Sequence, residues 1–220
     1  MKLFNKKFPN IFIDKKKLYT KSLDKNSFFE EKIVVEGGVS YREWDPKRSK
    51  LAAGLLKGLS QIGFKEGSVV LYLGASHGYT VSFVSDIVGN KGFIFAIDIA
   101  PQVTRDLVSL AEQRKNIAPI LADCNHPEEY KELVTQADIV YQDIAQKNQV
   151  QIFLKNCNAY LKKDSFGLLA LKSRSIDVTK KPRDVYRQVM KELEKRITIV
   201  DYRVLDPYEK DHSLFIVKKK

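Results

Sequence analysis

Two polar residues end runs of apolar sequence: Asp143 after Ile139-Val140-Tyr141-Gln142, and Lys172 after Leu168-Leu169-Ala170-Leu171. Lys50 sits near a helix start and His212 at the start of the final strand. If those runs are parallel strands, Asp143 and Lys172 stand at carboxyl ends, where open α/β sheets hold ligands. A lysine closing a buried strand is unusual, because lysine is rarely buried unpaired. Burial and neighbouring cations would depress its pKa, while a nearby carboxylate would hold it in place and push the other way. Such a set suits removal of a proton from a weakly acidic hydroxyl, for instance a ribose 2′-OH. Taken singly, Lys50 reads first as a surface charge and His212 first as a loop residue. Asp143 and Lys172 carry the argument.

Elements must exist to converge these groups. Val69-Val70-Leu71-Tyr72-Leu73 is apolar throughout and reads as a strand buried on both faces. Gly74-Ala75-Ser76-His77-Gly78 breaks it, and Thr80–Val88 has helical spacing. A strand, a glycine turn and a helix start aim backbone N–H groups and a helix dipole at the carboxyl edge of the sheet. The next apolar run, Phe93–Ile97, ends in Asp98, and Ile117–Ala122 ends in Asp123. A carboxylate in the place of Asp98 accepts both hydroxyls of a ribose. The turn lacks the middle glycine of a dinucleotide fingerprint, and no Gly-Lys-Ser/Thr follows, which excludes a P-loop. An adenosine without phosphates fits instead. S-adenosylmethionine is that ligand, with Asp98 on the ribose, Asp123 near the adenine amino group, and in-line attack on its sulfonium methyl. Strand-end acids are also common helix caps, and that alternative stays open.

From Val69 onward strands and helices alternate: a helix from Pro101 to about Arg114, strands at 117–122, 137–141 and 166–171, and helices at 148–161 and 184–195. That pattern predicts a mostly parallel sheet covered on both faces. Ile197–Val204 and Ser213–Val217 are joined too closely for a helical crossover, so they pair antiparallel or lie apart. Upstream, Ile11–Ile13, Leu18–Thr20, Ile33–Val35 and Val39–Tyr41 read as short antiparallel strands. They form a small β unit, a platform for a partner or RNA. Trp44-Asp45-Pro46 ends it, and a helix follows with Leu51, Leu55 and Leu59 on one face. The predicted division is a β domain over 1–45 and an α/β domain over 46–220.

The 220 residues carry 38 Lys and Arg against 27 Asp and Glu, a net charge of +11. The bases gather at Arg42, Lys47, Arg48 and Lys50 and again at Lys172, Arg174, Lys180, Lys181 and Arg183, which favours a polyanionic partner. Few aromatics lie beside them, so base stacking is not the expected mode. Cys124 and Cys157 suggest neither a disulfide framework nor a metal site. With no apolar h-region and no run long enough to span a bilayer, the expectation is a soluble cytoplasmic protein.

The segments Tyr41-Arg42-Glu43-Trp44-Asp45-Pro46-Lys47-Arg48-Ser49-Lys50, Val70–Ala75, Val84–Gly89, Asp143–Gln146, Lys172–Asp177 and Leu205–His212 resemble the fibrillarin family in its archaeal form, in order from about residue 8 to the end. The resemblance implies a class I methyltransferase fold, Rossmann-like with a mostly parallel seven-stranded sheet, behind a small N-terminal antiparallel β domain. It implies 2′-O-methylation of rRNA and tRNA directed by box C/D guide RNA, within a ribonucleoprotein that holds a Nop-domain scaffold and a kink-turn-binding protein. The family's Lys-Asp-Lys-His set falls on Lys50, Asp143, Lys172 and His212, with Lys172 the leading base, or the group orienting the 2′-OH, positioned by Asp143. Its cofactor contacts fall on Gly74, Ala75, Gly78, Tyr79, Thr80, Asp98, Ile99, Asp123, Cys124, Asp143, Ile144, Ala145 and Gln146. Ser76-His77, Tyr79, Asp98 and Gln142 depart from the usual pattern, and the bulk of His77 and Tyr79 is expected to alter the methionine end of the pocket. A scaffold subunit without activity, or a methyltransferase that selects its RNA unaided, are the other readings.

Overall fold

The computed structural model describes residues 1–220. Five short strands come first: β1 (Lys2–Leu3), β2 (Ile11–Asp14), β3 (Lys17–Lys21), β4 (Ile33–Glu36) and β5 (Val39–Trp44). All pair antiparallel, in the order β1-β2-β3-β5-β4. Along β5 every second residue is buried, so Ser40, Arg42 and Trp44 face inward.

Helix α1 (Lys50–Leu56) joins this sheet to a second one. Ser49 caps it, its hydroxyl accepting from the Ala52 N–H. Then follow β6 (Val69–Leu73), α2 (Tyr79–Val88), β7 (Phe93–Asp98), α3 (Pro101–Gln113), β8 (Ile117–Leu121), a 3-10 turn at Pro127–Tyr130 and β9 (Ala137–Gln142). The chain ends with α4 (Gln149–Tyr160), β10 (Leu161–Lys172), α5 (Ser173–Ile176), α6 (Pro182–Glu194), β11 (Thr198–Val204) and β12 (His212–Lys218). The sheet order is β11-β12-β10-β9-β6-β7-β8, with β12 alone reversed. The last two strands therefore do pair antiparallel. Strand β10 begins five residues before the predicted start, because Leu161 pairs with Ala137 ahead of an irregularity in the register.

The pleat divides the core. Val70 and Tyr72 face a layer formed with α1, α2, α3 and the small sheet; Leu71 and Leu73 face α4 and α6. Phe8, Ile11, Leu18 and Trp44 belong to the first of these clusters, so both sheets share one core. Trp44 stacks on Phe83 of α2 with ring centroids 5.1 Å apart.

Buried charge fixes how the small sheet sits. Arg42, counted above among bases for a polyanion, is fully buried instead. Its guanidinium donates to Glu31 at 2.7 Å, to Asp86 at 2.9 Å and to the Ser82 carbonyl at 3.1 Å. Asp86, inside α2, also takes the Thr20 hydroxyl at 2.6 Å, the Leu23 N–H at 3.1 Å and Arg114. Arg42 misleads in the sequence because an inward position on a strand is the same whether it meets oil or a carboxylate. Burial would raise the Glu31 carboxyl, but the Arg42 charge and the Phe29 N–H outweigh it and hold the group at about 2.

Glu31 therefore stabilises the fold above its ordinary value near 4.5, and that contribution drains away as pH falls from there toward 2. Glu31→Gln is expected to flatten the acid limb of urea-denaturation stability over that window. Asp86→Asn, which leaves two buried guanidinium groups short of charge, is expected to cost about 3–5 kcal/mol in the same experiment.

Candidate active site

The carboxyl edge of the large sheet is organised at the divergence of β6 and β9, where the strand order reverses and open sheets form a crevice. Gly74 leaves β6 with φ +79°, and its N–H and that of Ala75 both donate to the Ile97 carbonyl. A side chain there would lie 2.4 Å from the Asp143 carbonyl oxygen and 2.5 Å from Ile144. Gly78, with φ +88°, would meet Leu110 and Leu107 of α3. The two glycines thus make room for the protein's own packing, which brings Asp143 against the turn and seats α2. No side chain caps α2, so its first-turn N–H groups are offered to whatever approaches.

Asp143 follows β9, its N–H donating to the Leu73 carbonyl at 2.9 Å. Its carboxylate accepts from Lys50 Nζ at 2.9 Å. Both side chains are about four-fifths buried. Burial pulls the Lys50 pKa down, but the Asp143 charge and hydrogen bond, aided by Glu209, leave it raised. Lys50 is an ammonium at neutral pH.

His212 opens β12 and is buried. Its Nδ1 lies 2.7 Å from the Lys210 carbonyl. A carbonyl only accepts, so Nδ1 carries the proton and Nε2 the lone pair. Burial pushes the imidazole pKa below its ordinary 6.5; the Lys50 and Lys172 charges push the same way, against the Lys210 carbonyl and Asp143.

Lys172 pairs in strand register with His212. Its backbone is pinned on both sides by the Gln149 amide, at 3.2 and 3.3 Å. Its side chain, expected to be buried, is exposed: the strand carries it past the last covered layer of the sheet. Nor does Asp143 position it, since that carboxylate is committed to Lys50. Three of the four groups thus converge directly, and Lys172 stands at the rim.

The cofactor contacts expected from sequence line the same edge. Asp98 is held by the Ser76 N–H at 2.8 Å and the Ala100 N–H at 3.0 Å, one on each oxygen. Each oxygen keeps a lone pair for a ribose hydroxyl. Ile99 beside it is 56% exposed, an apolar surface next to the Asp98 carboxylate. Asp123 accepts on Oδ1 from the Asn125 N–H and side-chain amide, which lower its pKa, leaving Oδ2 for an amino group. The Gln146 amide oxygen takes Asn125 at 3.1 Å, Ala145 is exposed and Ile144 half-buried. Ala75 and Thr80 are buried, the Thr80 hydroxyl donating to Ser49 at 3.1 Å. Burial pushes the Cys124 thiol up to about 12, so it packs and does not attack. An uncapped helix, a paired-off carboxylate with spare lone pairs and an exposed apolar side chain fit an adenosine bearing an amino-acid tail.

Tyr79 and His77 do not crowd this edge. The Tyr79 ring packs on Phe29 and Phe83 beneath the Arg48 guanidinium, 4.2 Å away, and its hydroxyl accepts from the Asp45 N–H. His77 is exposed and meets Asp106 of α3 at 2.6 Å. Gln142 is buried and donates to the Gln149 carbonyl, tying β9 to α4. Sequence reading passed over the Gln149 bridge, the Tyr72–Tyr141 stack under Asp143, with centroids 4.6 Å apart, and Glu209. Only Glu209 left a signal, three residues ahead of His212.

A family profile described as Fibrillarin matches residues 4–220. A fibrillarin-like rRNA/tRNA 2′-O-methyltransferase of Thermococcus sibiricus is 46% identical over 219 residues, 97% of each chain. The structure of Aeropyrum pernix fibrillarin with natively bound S-adenosyl-L-methionine superposes with a TM-score of 0.88 at 39% identity, covering 97% of this chain and 96% of that one. A fibrillarin/Nop5p complex gives 0.89 at 40% identity, covering 96% and 98%.

Gly74→Ala is expected to part the ends of β6 and β9, since the new methyl meets the Asp143 backbone, which cannot swing aside, as well as the Ile144 side chain. The expected result is a loss of about 2 kcal/mol or more in urea unfolding, together with loss of S-adenosylmethionine binding by calorimetry.

Proposed function

This chain belongs to the fibrillarin family, and from that premise we propose that it is an S-adenosylmethionine-dependent RNA 2′-O-methyltransferase acting on rRNA and tRNA. Its fold is that of class I methyltransferases. The observation that carries the reading is the Lys50–Asp143 ion pair with His212 beside it, at the sheet edge where the glycine turn, α2 and Asp98 meet.

When bound, the cofactor supplies a methyl carbon made electrophilic by its sulfonium. Asp98 and Ile99, Asp123, the α2 N-terminus and the 143–146 segment hold it. The remaining work is done on O2′ of the target ribose. Lys50, aimed by Asp143, and Lys172, reaching in from the rim, place two ammonium groups where negative charge gathers on that oxygen. His212 Nε2 is the group with a free lone pair, and it accepts the O2′ proton. This gives Lys172 the orienting role of the two considered from sequence.

Selection of the target falls to partners. The solved fibrillarin/Nop5p complex supports a Nop-domain partner for this chain. Family membership supports direction by a box C/D guide RNA in a particle with a kink-turn-binding protein. Residues 1–45 and 46–220 serve as a partner-facing β domain and a catalytic domain. No helix is long and apolar enough to cross a membrane, and we place the enzyme in the cytoplasm.

Lys47, Arg48, Lys172, Lys180, Lys181 and Arg183 are exposed, and we take them as the RNA-facing basic surface. Affinity for RNA is expected to fall linearly on a log–log salt plot, and Lys181→Ala to lower the slope by about one.

The direct test is transfer of a labelled methyl to O2′ of a guide-paired target in the reconstituted particle. Lys50→Ala and His212→Ala are each expected to reduce it by about a hundredfold or more with cofactor still bound, and Asp143→Ala to reduce it as far with cofactor binding weakened as well. Full activity in all three would remove the assignment, and methylation by the isolated chain without guide would point to unaided target selection.

A further inference from the structure

We propose that Glu209 is a positioning residue of the methyl-transfer site, its carboxylate seated beside His212 so that its charge steers both the imidazole and the Lys50 ammonium. The inference rests on the reading of the site as a 2′-O-methyltransferase centre.

Glu209 lies in the loop between β11 and β12, three residues before His212. That loop is held rigidly. The Leu205 N–H donates to the His212 carbonyl, and the N–H groups of Tyr208 and Glu209 donate to the Leu205 carbonyl. Ser173 binds the Asp211 carbonyl twice, through N–H and hydroxyl, and Arg174 pairs with the Asp211 carboxylate. The loop therefore presents the Glu209 side chain inward, where it is 18% exposed. Its Oε2 is 3.9 Å from His212 Nδ1, and no lysine or arginine closes an ion pair with it. An acid mostly covered, with no lysine or arginine within ion-pair distance, is costly to keep, so its position asks for a function.

The charges around it answer that. From α1 comes Lys50, from the segment before α1 Asp45, from the end of β9 Asp143, from the end of β10 Lys172, and from its own loop the Lys210 carbonyl and His212. Burial and the Asp143 and Asp45 charges raise the Glu209 pKa, and Lys50 and Lys172 oppose them. Counted as ionised groups, Lys50 and Lys172 face Asp143, Glu209 and Asp45, an excess of one negative charge with His212 uncharged, the state in which Nε2 accepts a proton. Remove Glu209 and that excess is gone, so the two ammonium groups weigh more heavily on the imidazole. Lys50 also loses its second anionic neighbour and is steered by Asp143 alone.

Glu209→Gln keeps the shape and deletes the charge. In the full chain, ¹⁵N-histidine NMR resolves three imidazoles, of which His77 and His126 lie on the exposed surface away from Glu209 and serve as references. The His212 pKa is expected to drop by about one unit with His77 and His126 unmoved. In the reconstituted particle, kcat is expected to fall about tenfold with the KM for S-adenosylmethionine unchanged. Glu209→Asp, which keeps the charge, should restore the His212 titration and part of kcat. An unmoved His212 titration in Glu209→Gln, or an unchanged kcat, overturns the proposal. If Glu209→Gln does not fold, the aspartate variant decides alone: a kcat below that of the wild type with the His212 titration kept is expected, and a wild-type kcat or a shifted titration overturns the proposal. Failure of the wild-type particle to methylate O2′ would instead strike the functional reading, and the NMR titration would still judge the placement of Glu209.

Discussion

The docking of the small sheet onto α2 through Arg42 and Asp86 is the constraint on which the active site depends. Lys50 must reach Asp143 across 93 residues of sequence, and it does so from α1, the first element after the small sheet. Where α1 begins is set by where β5 ends. Arg42 and Trp44 of β5 fasten that strand to Ser82, Phe83 and Asp86, three residues within a turn of α2. The N-terminus of α2 in turn forms the glycine turn. One helix thus receives the small sheet along its flank and the cofactor edge at its end.

A buried network of this kind is an expensive way to hold two sheets together. Two guanidinium groups and two carboxylates of equal volume in apolar residues would be neutral or better for stability. What apolar residues would not supply is register. The Arg42 fork meets Glu31, Asp86 and Ser82 in one orientation only, and a slip of β5 by one residue would turn Arg42 and Trp44 outward together. The network specifies where α1 begins, and with it the place of the Lys50 ammonium beside Asp143.

Much of this was legible in advance. Apolar runs marked β6, β7, β9 and β12, and helical periods marked α2, α3, α4 and α6, because each buries a face wide enough to leave a period. The glycine turn and strand-end acids were legible for the same reason. Three things were not. Arg42 reads as a surface base because sequence does not show what an inward position faces. Lys172 reads as buried because the apolar run ahead of it says nothing about where the covering helices stop. The partner of Asp143 was misassigned to Lys172 rather than Lys50, since proximity of α1 to β9 arises only from the docking of the small sheet. Each error concerns a tertiary contact between elements that were themselves correctly foreseen.

This bears on what residues 1–45 are. As a sheet they are separate from the rest; as a core they are not, because Phe8, Ile11, Leu18 and Trp44 pack in the same cluster as Val70 and Phe83. A unit that shares its core cannot shift against its neighbour without opening it, so the small sheet is a rigid extension and not a mobile arm. A partner gripping its outer face holds Lys50 and Asp143 as surely as if it gripped the catalytic sheet. If partners deliver the RNA, as proposed above, a rigid small sheet would fix the distance between the surface they hold and the Lys50–Asp143 pair before the RNA arrives.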